Sequence, residues 1–469
     1  MHDYNGHGDY EEQRARQSAK AFERMMQRDA FAFMDLQEVD EVFQFYLNHE
    51  ELEKAHNLLS YALQVHPSNG DLYFKQAKLF AGDGRWNEGV VSMENALNCS
   101  PHLVDYHYFQ ADLLSRADRY QEAIDLLEEL LLVAPVPEEV LIQMGSIAML
   151  SNQGDASERY LREAMELSPG SEEILVELSY LLENLGRVEE AIELTQQFLE
   201  DQPYSATAWY QLGALHQKQE EFSQALEAYD YALVIEDDYA AAHYQKGIIF
   251  QLRQEYSAAL SAFLETLALS PRDAGLLYHI GECFESLEMY HDAIRYYHQV
   301  TKLEKDHLDA WSGLGFCLEK REKYLEAIHY YQKAYELDGE NSDICLSLAI
   351  CEYKLGHGQT AFHYLHQAIS LSPKDLSIWL DWAQLLYDNH NVSGAITYLE
   401  ESIRQNPKAA ELYYYCSAYC FDGTESDKGI IYLENALLLD FDKHELIFQV
   451  CPYLSQEPEV VDLIEQYRY

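Results

Sequence analysis

Prolines recur every 34 residues in the first part of the chain, at Pro67, Pro101, Pro135, Pro169 and Pro203. The same register continues through Asp237, Pro271, Lys305, Gly339, Pro373, Pro407 and Phe441, so 8 of the 11 prolines share one phase. A fixed period of this length means an array of supersecondary units and not one irregular core. Counting back places the first unit at Leu36–Asn69 and the twelfth at Ala410–Lys443. Position 20 of the unit is small in every copy, as in Ala55, Gly89, Ser157, Ala191 and Gly429. Position 8 is Phe43 in the first copy and small in the rest, including Ala77, Gly145, Ser179, Gly213, Gly247, Gly281 and Gly315. Position 27 is mostly alanine, and large apolar residues fill positions 4, 7, 11 and 24, as in Trp311, Leu314, Leu318 and Tyr331.

These positions describe an α-hairpin. Positions 4, 7, 8 and 11 share one helical face, as do 20, 24 and 27. Small residues at 8 and 20 let the two helices cross where a larger side chain would hold them apart. Turns near positions 14–16, such as Gly84-Arg85, Gly186-Arg187 and Gly154-Asp155, are expected to end the first helix. Proline at position 32 has no N–H to donate and is expected to stop the second. One hairpin cannot bury both of its faces, so the units must stack.

The run Trp311-Ser-Gly-Leu314-Gly315, followed by Ala327, Tyr331 and Ala334, resembles the tetratricopeptide repeat, and the 34-residue spacing matches it. The resemblance covers Leu36 to Lys443 in unbroken register. Phe43 in the first copy and Phe441 in place of the last proline depart from it, as terminal copies do when they cap a stack. It implies an all-α fold, a right-handed superhelical solenoid of twelve helix-turn-helix repeats. Residues 1–35 are then an N-terminal tail and capping helix, 36–443 the repeats, and 444–469 a C-terminal partial repeat and capping helix. Asp9–Asp29 reads as a charged helix with Phe22, Met25 and Met26 on one side. Phe31, Phe33 and Met34 are expected to pack on the first repeat. His444–Leu454 reads as one more first helix, and Pro458–Tyr467 as an amphipathic helix with Val460, Val461, Ile464 and Tyr467 on its apolar face. No proline- or glycine-rich linker interrupts the series, so one continuous body is expected.

Charge narrows the partners. With 32 Lys+Arg against 81 Asp+Glu, the formal charge is −49. Such a chain repels phosphate backbones and anionic lipid surfaces, which argues against nucleic acid and membrane as partners. Met1–Tyr10 has no apolar signal-like run, and the apolar stretch Leu126–Ala134 is too short to span a bilayer. A cytoplasmic protein is expected. Cys283, Cys317 and Cys351 are spaced by 34 and read as equivalent apolar fillers. Packed helices lie about 8–10 Å apart, beyond the roughly 7 Å limit for a disulfide.

In the family resembled, positions 2, 5, 9 and 12 of the first helices line a concave groove. Position 5 here holds Phe74, Tyr108, Tyr210, Tyr244, Tyr278 and Tyr414, and position 12 adds Tyr353, Tyr387 and Phe421. Such a ladder offers rigid amphipathic contacts to an extended peptide. The groove positions are rich in acids, among them Glu282, Glu285, Asp309, Glu319 and Asp343, and their one evident base is Lys78. Position-2 acids such as Asp309 and Asp343 sit in a first helical turn, where the dipole favours them without a partner. Glu282, Glu285 and Glu319, at positions 9 and 12, have no such reason. A neutral or basic ligand is the expectation.

Two family functions are absent from the residues. The chaperone-tail clamp needs Lys at position 5 with Asn at 6 and 9, and the asparagine ladder of the sugar-transferase superhelix needs Asn at 6; neither pattern occurs. His298, His329, His363 and His366 fall on second helices at positions read as a solvated stripe, and Cys416 and Cys420 lack a second pair, so no metal or cofactor is expected. There is no G-x-S-x-G, P-loop or H-E-x-x-H motif. The reading is a non-enzymatic scaffold or adaptor that holds a protein or peptide segment in its concave groove, its oligomeric state undetermined. The alternative is a structural protein that self-assembles through its caps.

Overall fold

The computed structural model describes residues 5–27, 33–270, 272–423 and 425–468. Among them are 27 α-helices, two short 3-10 turns and no strand. Met1, Asp29, Phe31 and Pro271, named above, lie outside the described residues. Each repeat is a pair of helices, A over positions 1–13 and B over positions 17–30, except that B of the third stops at position 28. In the ninth, A is Leu308–Lys320 and B is Tyr324–Leu337. The fourth repeat opens one residue early, at Pro137, where a first-turn proline costs no hydrogen bond.

Local chemistry sets both ends of helix A. Position 34 of the preceding repeat supplies an N-cap: Asn69, Ser171, Ser205, Asp273 and His307 each accept from the amide three residues on. At the other end, the N–H of position 16 bonds the carbonyl of position 11, as in Arg187 to Leu182 and Met289 to Phe284 at 2.8 Å. That bond needs a left-handed residue at position 15. Gly84, Gly186 and Gly356 supply it, but elsewhere the same corner is taken by Glu50, Asp118, Asn152, Glu220, Gln254, Glu288, Glu322 and His390, all with φ of 57–60°. Gly154, expected in a turn, instead opens helix B of the fourth repeat.

The two helices touch at positions 8, 20 and 24. Added Cβ atoms on Gly213, Gly247, Gly281 and Gly315 would lie 2.5–2.6 Å from the rings of Tyr229, Phe263, Tyr297 and Tyr331. These rings, at position 24, lie over the glycines and are buried. At position 20 the backbones themselves come close. The Ser157 hydroxyl donates to the Gly145 carbonyl at 2.8 Å, and Ser417 donates in the reverse sense to Gly429 at 2.7 Å. In repeats 6–9 position 8 must therefore be small because a ring lies on it, and in repeat 4 the Leu161 side chain makes the same demand of Gly145.

Packing groups the chain into two compact halves, Met1–Asp237 and Asp238–Tyr469, which divide between the sixth and seventh repeats. In the first half, the helix Asn5–Gln27 lays Ala19 and Phe22 on Val42, Phe43 and Tyr46 of repeat 1. Met34 joins this core, whereas Phe33 stays 75% exposed and Met26 47% exposed. In the second half the C-terminal segment departs from one further helix A. Leu446–Val450 is a five-residue helix, and Pro452 opens a 3-10 turn before the helix Pro458–Gln466. Proline cannot continue the first of these, so the chain turns back over repeat 12. Ile447, Leu454, Val460 and Ile464 bury there against Tyr414 and Leu433.

The ring-over-glycine contact makes a sharp prediction. Gly281→Ala should lower stability by about 1–3 kcal/mol, because Tyr297 must move. Gly82, the last residue of a helix with nothing within 4 Å of an added Cβ, should accept alanine with no loss. Paired thermal melts check this, and equal shifts would contradict the contact.

Candidate functional site

The position-5 rings pack on the position-24 ring of their own repeat. Tyr210 meets Tyr229, Tyr244 meets Phe263 and Tyr278 meets Tyr297, with centroids 5.6–5.8 Å apart. Each is thereby half-buried, one edge fixed and the other at the surface. In repeat 9 this series breaks: Ser312 stands at position 5 and Gly313 at position 6. A Cβ on Gly313 would come 2.6 Å from Tyr297, so that ring is clasped between Gly281 and Gly313. Where the missing tyrosine would sit there is a cleft of about 310 Å³.

Tyr278 and Phe316 wall the cleft, and the buried rings of Tyr297 and Tyr331 underlie it. Four carboxylates face it, from Glu282, Glu285, Asp309 and Asp343, and no described lining residue is basic. The structure thus brings Tyr278, Glu282, Glu285 and Asp309 of the sequence-derived set into one place. Glu319 stands just behind, bonded to Tyr331.

The carboxylates differ in state. Tyr297 donates its hydroxyl to Glu285 at 2.8 Å, and the Cys317 thiol of the next repeat approaches the same oxygen at 3.7 Å. One repeat on, Tyr331 donates to Glu319 at 2.9 Å and Cys351 lies 3.8 Å away. Burial pushes both carboxyls above their ordinary range, and the hydroxyl and thiol donors offset it only in part. Burial also acts on Glu282, but bonds from His279, Gln251 and Tyr278 outweigh it and hold that carboxyl low. Gln251 Nε2 lies 3.0 Å and His279 Nδ1 3.2 Å from Glu282. The same carboxylates, after desolvation, raise the hydroxyls of Tyr278 and Tyr297 and the thiol of Cys317.

The other sequence-derived residues lie elsewhere. Phe74 stacks on Tyr106 at 4.7 Å and has the Lys78 ammonium 4.2 Å over its ring. Tyr108 is half-buried, its hydroxyl pushed up to about 12 by burial and by Glu139. Tyr353 meets Trp382 edge-on at 5.2 Å. Tyr387 stacks on Tyr419 at 4.2 Å and donates to Asp422 at 3.0 Å. Tyr414 requires a correction. It is fully buried under the C-terminal segment, its hydroxyl on the Asp440 carbonyl at 2.8 Å, and it offers nothing to a ligand. Ser312, Gly313 and Phe316 were not singled out from the sequence, and Tyr297 and Tyr331 count there only as core. The available signal was the interruption at Ser312 of the series Tyr210, Tyr244, Tyr278.

Models of four tetratricopeptide repeat families match residues 148–215, 210–274 with 380–437, 276–307 and 308–341. Together they span more than half of the chain. The chain belongs to the tetratricopeptide repeat family. Similar solved structures include YrrB, described as "a TPR protein with an unusual peptide-binding site", at 22% identity and a TM-score of 0.38 over 40% of this chain and 97% of that one. PilF of Pseudomonas aeruginosa matches at 22% identity and 0.38 over 45% and 97%. MamA of Desulfovibrio magneticus RS-1 matches at 20% and 0.34 over 36% and 94%. No curated protein sequence matches the chain. Among the described residues of this tetratricopeptide array, no helix is long and apolar enough to cross a membrane. Nor does any group of three or more His, Cys, Asp and Glu side chains among them suit a metal ion.

Glu319→Gln keeps an acceptor for the Tyr331 hydroxyl and removes a charge held away from water. The Glu319 carboxyl sits above its ordinary 4.5 in the folded chain. Its contribution to stability is therefore full below that pH and is lost as the pH rises through the raised value. The variant should melt at or above wild type near pH 7, and the gap should close below about pH 4.5. A variant that melts clearly lower near pH 7 would show that the anion itself is needed.

Proposed function

We propose that this tetratricopeptide array is a non-enzymatic scaffold that holds a neutral or basic protein segment along the helix-A face of repeats 8–10. The observation that carries this is the cleft at Ser312, with half-buried rings beside four carboxylates and no base in its described lining. Aromatic side chains with one edge fixed lose little entropy on binding, which suits them to anchor a partner. The acids add attraction and selectivity more than affinity, since exposed charges are screened beyond about 8 Å at physiological salt. Reduced thiols support a cytoplasmic setting for this role: all eight cysteines are free.

The test is recovery of partners from the source cell by wild type, by Tyr278→Ala with Asp309→Asn, and by Leu325→Ala. Leu325 lies on helix B and is 72% exposed. The helix-A variant should recover its partner at least tenfold less well, about 1.4 kcal/mol, while Leu325→Ala binds normally. Circular dichroism verifies that both are folded. Equal recovery by all three would move the contact to another face.

A further inference from the structure

Resting on that reading, we propose that the cleft between repeats 8 and 10 is a socket for one cationic side chain, arginine or lysine, of the bound segment. Its volume of about 310 Å³ is at the low end for ligand sites and is enough for one long side chain. A basic side chain is an apolar stem that ends in a charge, and it buries the stem while its head seeks an anion. The cleft has that order. Tyr278 and Phe316 offer apolar walls, and Glu282, Glu285, Asp309 and Asp343 offer anions.

No described lining residue is basic, and the bases close by already engage its walls. Lys320 lies 5.0 Å over the Phe316 ring, His279 is at Glu282, and the His307 ring packs on Tyr278 at 4.9 Å. None of them is paired with Glu285. That carboxylate accepts only from the Tyr297 hydroxyl and the Cys317 thiol, both neutral. Burial, with the like charge of Glu282 beside it, pushes it up, and an entering cation would supply the countercharge. The site is also built in advance. Tyr297 is clasped by two glycines and tied by its hydroxyl, so the cleft floor does not reorganise on binding. What opens the site is Ser312, at the position where Tyr210, Tyr244 and Tyr278 stand in the three preceding repeats.

Ser312→Tyr is therefore a plug that the repeat already tolerates. Random peptides displayed on phage are selected on the immobilised full chain at about 150 mM salt, near physiological screening. Selected sequences are then made as labelled peptides and titrated by fluorescence anisotropy. They should share one arginine or lysine whose replacement by citrulline or norleucine costs tenfold or more on wild type and little on Ser312→Tyr. Ser312→Tyr should itself weaken them at least tenfold with an unchanged melting temperature. Asp309→Asn, an exposed change that cannot disturb the core, should weaken them several-fold whatever the plug does to folding. Peptides that bind Ser312→Tyr and Asp309→Asn as well as wild type, or that need no basic residue, overturn the socket. If such peptides are still weakened by Tyr278→Ala, the segment-holding proposal survives that failure. If no peptide is selected, or binding ignores every helix-A change, both fall.

Discussion

A ring packed on a glycine sets the helix crossing in repeats 6–9, the part of the chain that carries the cleft. Tyr229, Phe263, Tyr297 and Tyr331 each cover the glycine at position 8 of their own repeat, so closely that one added carbon would overlap the ring. Burying such a ring contributes about 1.5–3 kcal/mol, and four consecutive repeats each carry one. The contact also fixes what lies above it. In repeat 8 the Tyr278 ring packs on Tyr297, whose hydroxyl ends at Glu285, and in repeat 9 the Tyr331 hydroxyl ends at Glu319. Core and candidate site are therefore two sides of the same side chains.

Charge plays a lesser part in holding the fold. Arg187 bridges Glu158 and Glu190 at 2.6 Å each, but such partly exposed pairs contribute about 0–1 kcal/mol. With a formal charge of −49 the compact chain repels itself, and the few bases cannot cancel this. Glu285 and Glu319 go further, since each is withdrawn from water and bonded to a hydroxyl and a thiol, with the Lys320 and Lys354 charges offsetting burial only in part at Glu319. A buried group that raises the cost of the native state, beside an open cleft, fits a surface built to be completed by something else.

The hairpins were legible because their signals are local and repeated. Eleven small residues at position 8 and twelve at position 20 average away the exceptions, and helix A opens at position 1 in nearly every copy. The corner at position 15 was legible only where glycine marks it, at Gly84, Gly186 and Gly356. Glu, Gln, Asp, Asn and His adopt the same left-handed φ elsewhere because the bond from position 16 to position 11 holds them there. Tyr414 was misplaced because its burial depends on a segment that turns back at Pro452, which no repeat pattern encodes. The cleft was half legible. Periodicity put Tyr278, Glu282, Glu285 and Asp309 on groove positions, but the opening comes from a residue that is small where its equivalents are large. Periodicity scores Ser312 as noise, and only the packed rings around it turn the gap into a shape.

Hydrogen exchange read by mass spectrometry, on the full chain with and without a bound segment, tests the central claim most directly. Protection on binding should concentrate in Ala274–Ser286, Leu308–Lys320 and Ser342–Lys354, the helix-A series around the cleft. Protection confined to the B helices Tyr290–Leu303 and Tyr324–Leu337, or to the terminal segments, would contradict it.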